Sequence, residues 1–164
     1  MHPATAQFST FIARARARHG RHMRFALVIA AIIAFLLWQT QWPTLRPALF
    51  LLLIGQIGTA AILFNRTIAL SKQPAEEQAA MLVWFDTEEA FVKYSSLFEN
   101  AVRTIGLMVL AYGFWVPTRN LGIALALGVV YPLAAHFWLV RGSISRTIRQ
   151  LRTQKHEIQE LFER

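Results

Sequence analysis

Long apolar blocks separated by short polar segments dominate the chain. A bilayer core of about 30 Å is crossed by about 20 helical residues at 1.5 Å each, and lipid offers no partner for unpaired backbone groups. Four blocks approach that length: residues 25–42, 45–64, 97–116 and 121–140. The pattern predicts an all-α polytopic membrane protein with four transmembrane helices.

The third block is the least apolar of the four. It carries Glu99, Asn100 and Arg103 near its start, so its purely apolar part begins only at Ile105. Asp86, with Glu89 three residues later, has the spacing of a capping box. We therefore expect this helix to begin near Asp86, outside the bilayer, and to run into it.

Residues 65–96 form the predicted connection between the second and third spans. Within it, residues 71–85 are polar at first and then abruptly apolar, and Pro74 suits a first helical position. The five-residue run MLVWF is too short to span a bilayer. It predicts an interfacial helix, with packing against the bundle or a docking surface as alternatives.

Residues 141–164 are predicted to form a cytoplasmic amphipathic helix. Its apolar positions alternate by four and three, with Lys155 at the one seam position that breaks the pattern: Ile144, Ile148, Leu151, Ile158 and Phe162. Such a helix would pack on the membrane surface, on the 65–96 connection or on another copy of itself. Pro132, inside the fourth block, predicts a kink.

Composition supports a lipid environment. Hydrophobic residues make up 55% of the chain and charged residues only 16%, against about 25% in soluble domains. The chain has no cysteine, which excludes disulfides, thiolate metal sites and cysteine nucleophiles.

The distribution of positive charge predicts the orientation. With four spans, every Lys and Arg except Arg46 and Arg119 falls on one side, which the positive-inside rule assigns to the cytoplasm. Both termini, including the basic segment 1–24, are then cytoplasmic, and a bacterial inner membrane fits this sidedness. The arginines expected to contact anionic headgroups of the inner leaflet are Arg14, Arg16, Arg18, Arg21, Arg24, Arg141, Arg146 and Arg149. A cleaved signal peptide and a nucleic-acid-binding arm are disfavoured, because neither a small-residue cleavage site nor a nucleic-acid motif accompanies these arginines.

Candidate chemistry is confined to one polar layer near the cytoplasmic ends of the spans. Ionisable groups within a span are costly, so they usually pair, face the bundle interior or line an aqueous path. The predicted layer contains Glu99, Asn100, Arg103, His136, Asn65 and Arg66. It would form a shallow pocket for an anion or lipid headgroup, or a proton-sensitive joint; the alternative is an interfacial anchor in which Glu99 and Arg103 pair one turn apart.

No motif for catalysis or cofactor binding accompanies this layer. The sequence lacks a phosphate-binding glycine loop, H-E-x-x-H and G-x-S-x-G. His19 and His22 are three residues apart but lack an acidic or thiol partner nearby in sequence, so no metal site and no cofactor are expected.

The favoured function is therefore a noncatalytic membrane adaptor or accessory subunit that engages a cytoplasmic or membrane partner. A homo-oligomeric channel or small transporter, with the polar layer at its cytoplasmic mouth, is the alternative. A membrane enzyme acting on lipids, with His136 and Glu99 as acid–base groups, is the least favoured.

Overall fold

The described residues of the computed structural model are 3–71, 77–138, 142 and 144–163, and their regular elements are all helical. Two short helices and one π-helical turn lie between the longer helices. In chain order the elements are α1 (Pro3–Gln39), α2 (Arg46–Ser71), α3 (Gln78–Thr118), α4 (Leu121–Leu125), a π-helical turn (Ala126–Val130), α5 (Tyr131–Trp138) and α6 (Ser145–Glu163).

Three helices are long and apolar enough to cross a membrane: Pro3–Gln39, Arg46–Leu70 and Gln78–Thr118. The all-helical prediction is confirmed, and three of the four predicted spans overlap these helices, although residues 40–42 of the first and residue 45 of the second fall outside them. The fourth, described as Leu121–Phe137, is a shorter apolar helix, and residues 139–140 lie outside the described part.

Helices α1 and α3 are much longer than a bilayer is thick. They contain 37 and 41 residues, which correspond to about 55 Å and about 60 Å, against about 30 Å for the hydrocarbon core. α1 continues from its basic part into its apolar part, through Gly20, without interruption. Each helix therefore has an apolar part and a polar part joined rigidly.

The predicted start of the third helix at Asp86 is wrong. α3 begins at Gln78, and Asp86 lies two turns inside it. The preceding run explains the difference, because Met81, Trp84 and Phe85 are 0%, 2% and 1% exposed and pack in the core. Because this run is buried, the helix begins eight residues before Asp86 rather than at it. Packing against the bundle, one alternative for MLVWF, is what the structure shows, and Pro74 lies outside the described residues.

The polar parts of the long helices form a bundle with α6. We call residues 3–24, 65–71, 78–96 and 145–163 the basal bundle. Aromatic side chains centred on Phe8 and Phe85 fill its core, together with Leu151 and Ile158 from α6. Of the three placements open for the C-terminal helix, the structure shows packing on the start of α3, with further contacts to α1.

The remaining residues, 25–64 and 97–138, form the apolar half. Here α2 and α3 run antiparallel at close distance, since a Cβ built at Gly55 would meet Val102 and one built at Gly106 would meet Leu52. At the far end the Thr44 hydroxyl donates to the Gly113 carbonyl at 2.9 Å. Small residues thus set the helix separation in this half.

The segment after α3 returns alongside it. Gly128 lies against Ala111, and the Asn100 amide nitrogen is 2.5 Å from Nδ1 of His136. The π-helical turn ends two residues before Pro132, and the N–H of Tyr131 bonds the carbonyl of Ala126, five residues back. Pro132 lacks an N–H for the normal helical bond, and a π-helical turn is one way a helix adapts.

Candidate functional site

A buried carboxylate lies at the centre of the basal bundle. The side chain of Glu88, on α3, is fully buried. Its Oε1 accepts from Arg18 at 2.8 Å and lies 2.6 Å from Nε2 of His19, both on α1. Its Oε2 accepts from Arg66, on α2, at 2.9 and 3.1 Å. One side chain therefore joins three helices.

The local sequence places these groups on buried helix faces. Glu88 continues the stripe of α3 that contains Met81, Trp84 and Val92, at spacings of three and four. His19 likewise lies in the buried stripe of α1, four residues after Ala15 and seven before Ala26. Helical periodicity thus brings both side chains to the helix contact.

Electrostatics favour the ionised form of Glu88. Burial raises the pKa of this carboxyl, but the hydrogen bond from His19 and the charge of Arg66 outweigh that effect, so its pKa lies below the ordinary value. An ionised carboxylate only accepts hydrogen bonds, so Nε2 of His19 carries the proton in this contact. Phe91 covers the cluster, with the Arg66 guanidinium 5.2 Å from its ring centre.

A small cavity of about 70 Å³ adjoins the cluster on the side of the apolar half. Arg18, His19 and Thr59 line it, and Glu99 lies at its wall. The Thr59 hydroxyl is buried and has no hydrogen-bond partner in the part of the chain that the structure describes. A polar cavity of this volume is large enough for water. It links the Glu88 cluster to the predicted polar layer.

The predicted polar layer is divided among separate contacts. Glu99 and Arg103 form the expected ion pair, with side chains 37% and 26% exposed. Asn100 contacts His136 across the two helices. Arg66 instead belongs to the Glu88 cluster.

Asn65, the last member of the layer, is exposed. The structure thus divides the charged and polar members of the predicted layer among separate contacts, with Arg66 paired to Glu88. The physical reason is that Arg66 is within reach of a fully buried carboxylate, whose charge needs a partner more than the half-exposed Glu99 does.

The arginines predicted to contact lipid are mostly exposed. Arg18 is the exception, since it bonds Glu88. Arg141 lies outside the described residues, and Arg146 donates to the Gly142 carbonyl. The exposed ones are Arg14, Arg16, Arg21, Arg24, Arg146 and Arg149.

Sequence reasoning missed Glu88 and the role of His19. The available signal was a polar residue at a position where an apolar stripe continues, since such a residue is buried and requires a partner. Nothing in the sequence identifies Arg66 as that partner, because the contact joins residues from different helices.

Within the described ranges, no group of three His, Asp or Glu side chains has the placement of a metal site. Comparison with known proteins gives no further guide: no family model, no curated protein and no solved structure matches the chain.

Proposed function

We propose that the protein is a noncatalytic adaptor or accessory subunit of a bacterial inner membrane, with four transmembrane helices and a cytoplasmic bundle that engages a partner protein. The observation that carries the proposal is the basal bundle, which has its own core and is built from the same continuous helices as the apolar half. A partner bound to the bundle would be held at a fixed distance from the bilayer.

The position of α6 supports four crossings. α6 packs on the polar parts of α1 and α3, whereas α3 ends at Thr118 at the opposite end of the molecule. The chain must return between these points, and the apolar segment Leu121–Phe137 runs back along α3. This segment is the fourth span in the proposed topology.

The exposed charges support a cytoplasmic basal bundle. Arg14, Arg16, Arg21 and Arg24 are exposed on the polar part of α1, next to the apolar stretch that begins at Phe25. Basic residues accumulate on the cytoplasmic side and each contributes on the order of 1 kcal/mol near anionic lipid. Both termini are then cytoplasmic.

The buried polar groups of the bundle support an adaptor role. Glu88 uses both carboxylate oxygens on Arg18, His19 and Arg66, and the cavity that adjoins this cluster is only about 70 Å³. Such groups stabilise a fixed arrangement of helices. The surface that remains for a partner includes Val83, which is 63% exposed on the first turns of α3.

The test is purification of the tagged full-length protein from its native membrane in a mild detergent, followed by a mass for the intact assembly. We expect a second protein at fixed stoichiometry. A photocrosslinking residue placed at Val83 should join that protein, whereas one at Leu36, exposed on the apolar half, should not. A monomer, or an assembly of this chain alone, would overturn the adaptor proposal.

A homo-oligomeric channel or small transporter is the second candidate, and one observation favours it. The Asn100–His136 contact lies at the surface of the chain, and Val102 next to it contacts Gly55 in the middle of the apolar stretch of α2. Polar groups at that level are costly against lipid, so association of several copies would cover them. Flux of ions or protons into vesicles containing the purified oligomer, lost in His136→Ala, is the expected result; a folded oligomer without flux would exclude it.

A further inference from the structure

An open groove runs between α1 and α6 on the outside of the basal bundle. Its volume is about 580 Å³, within the range of small-molecule sites. Arg14, Arg18 and Arg21 line one wall from successive turns of α1, and Arg149 lines the other from α6. The groove shares Arg18 with the small cavity beside Glu88 but is otherwise lined by different residues.

The charges in the groove are unbalanced. Glu88 neutralises Arg18 at 2.8 Å. Arg14, Arg21 and Arg149 have no carboxylate within ion-pair distance among the residues described. The one carboxylate of the lining, Glu157, accepts from the Gln7 amide at 3.2 Å. The groove therefore carries an excess of positive charge.

Within the part of the chain that the structure describes, the positive charges of α6 are paired on the side that faces α3 but not on the side that faces α1. Toward α3, Arg152 pairs with Glu89 at 2.8 Å and Lys155 pairs with Asp86 at 2.6 Å. Toward α1, Arg149 faces arginines. Like charges on facing helices repel, so a counter-charge in the groove would stabilise the α1–α6 contact in the way that Glu89 and Asp86 stabilise the α3–α6 contact.

Trp84, one of the residues that line the same groove, has a buried indole N–H. Trp84 is 2% exposed, and its indole N–H has no hydrogen-bond acceptor in the described part of the chain. A buried N–H without an acceptor costs free energy, and tryptophan usually finds a partner when buried. An acceptor brought by a ligand would satisfy this group.

We propose that the α1–α6 groove binds an anion that carries one or more phosphate groups. Guanidinium groups recognise phosphate through paired, charge-assisted hydrogen bonds, and a phosphate oxygen also accepts from an indole N–H. Arg21 lies about one turn before Phe25, where the apolar stretch begins, so the phosphate is that of a lipid headgroup or of a soluble anion. This inference is independent of the partner proposed above.

The experiment uses the purified full-length protein and two probes. In one arm, pyrophosphate is titrated in detergent, with heat of binding and melting temperature as readouts. In the other, the protein is placed in nanodiscs of phosphatidylcholine with or without phosphatidic acid. We expect a rise in melting temperature with at least one probe. A response to pyrophosphate identifies a soluble ligand, and a response to phosphatidic acid alone identifies a headgroup.

Matched variants separate the groove from general charge attraction. Arg14→Gln with Arg149→Gln removes two groove charges, and Arg16→Gln with Arg24→Gln removes two charges from α1 outside the groove lining. We expect the groove variant to bind the probe at least about tenfold more weakly and the control to bind within about twofold of the wild type.

The melting temperatures of the variants without ligand show whether weaker binding is due to misfolding. Removal of like charges should leave the melting temperature of the unliganded groove variant equal to or above that of the wild type. Trp84→Phe, which keeps the ring contacts with Phe8 and Phe85, should weaken binding about threefold. Equal weakening by both arginine pairs, or no response to either probe, would overturn the proposal.

Discussion

The basal bundle and the apolar half contain parts of the same helices, but the side chains at their helix contacts differ in size. The bundle is filled by large side chains such as Phe8, Met81 and Phe85, and it buries an ionised Glu88. The apolar half brings α2 and α3 together through Gly55 and Gly106. Burial of large apolar groups is favourable in water, whereas in lipid only close contact and hydrogen bonds favour association. This difference in side-chain size fits the candidate membrane spans in α1, α2 and α3.

Removal of the buried charge should have the largest effect. Glu88→Gln keeps the shape of the side chain but leaves Arg18, His19 and Arg66 without their carboxylate. Loss of one partner of a buried ion pair costs about 3–5 kcal/mol. We expect this loss in the free energy of unfolding, followed by tryptophan fluorescence in detergent. Glu99→Gln, at a half-exposed pair, is the control and should cost far less. Equal losses for the two variants would contradict the central role of Glu88.

The contacts of Glu88 also predict that the free energy of unfolding depends on pH. The pKa of Glu88 is lower in the folded than in the unfolded protein, so its contribution to stability is complete above the unfolded pKa, about 4.5, and is lost as the pH falls through the folded value. The difference in unfolding free energy between wild type and Glu88→Gln should therefore be constant near neutral pH and shrink in acid. A difference that grows below pH 4.5 would show that folding does not lower the pKa of Glu88.

A variant that weakens the packing of α6 on the bundle should cause the next largest loss of stability. Ile158 is 0% exposed and packs in the core of the basal bundle. Ile158→Ala should cost about 2–4 kcal/mol and increase hydrogen exchange along α6, with little change in the apolar half. Thr153→Ala, at an exposed position of the same helix, is the control. Increased exchange in the apolar half as well would show that the two regions do not unfold separately.

The sequence predicts these two regions unequally. Apolar length identified the apolar parts of the long helices but not their polar continuations, and the spacing around Leu151 and Ile158 predicted the amphipathic pattern of α6. The buried cluster was missed, since Glu88 and Arg66 meet only when helices pack. Asp86 was misinterpreted as a helix start for a related reason: burial of Phe85 outweighs a local capping preference.

Addition of a methyl group in the apolar half should have a moderate, position-dependent effect. A Cβ at Gly113 would lie 2.6 Å from the Thr44 carbonyl oxygen, which is backbone. At Gly106 it would lie 2.3 Å from Cδ2 of Leu52, a side chain that can rotate. We expect Gly113→Ala to cost about 1–3 kcal/mol and Gly106→Ala less. Thermal unfolding of both variants in one detergent is the measurement, and the reverse order would contradict the observed contact with the turn before α2.

The variant with the smallest expected effect should increase the stability of the protein instead of lowering it. Gly20 lies within α1, and a Cβ there would meet no atom within 4 Å. Gly20→Ala should therefore stabilise the protein by about 0.5–1 kcal/mol, because alanine loses less backbone entropy in a helix. Since the space beside Gly20 is open in the single chain, a variant that is more stable but no longer co-purifies with its partner would assign this face of α1 to the partner. A less stable variant would instead show that α1 does not remain helical through Gly20, and the rigid connection between the two regions would have to be abandoned.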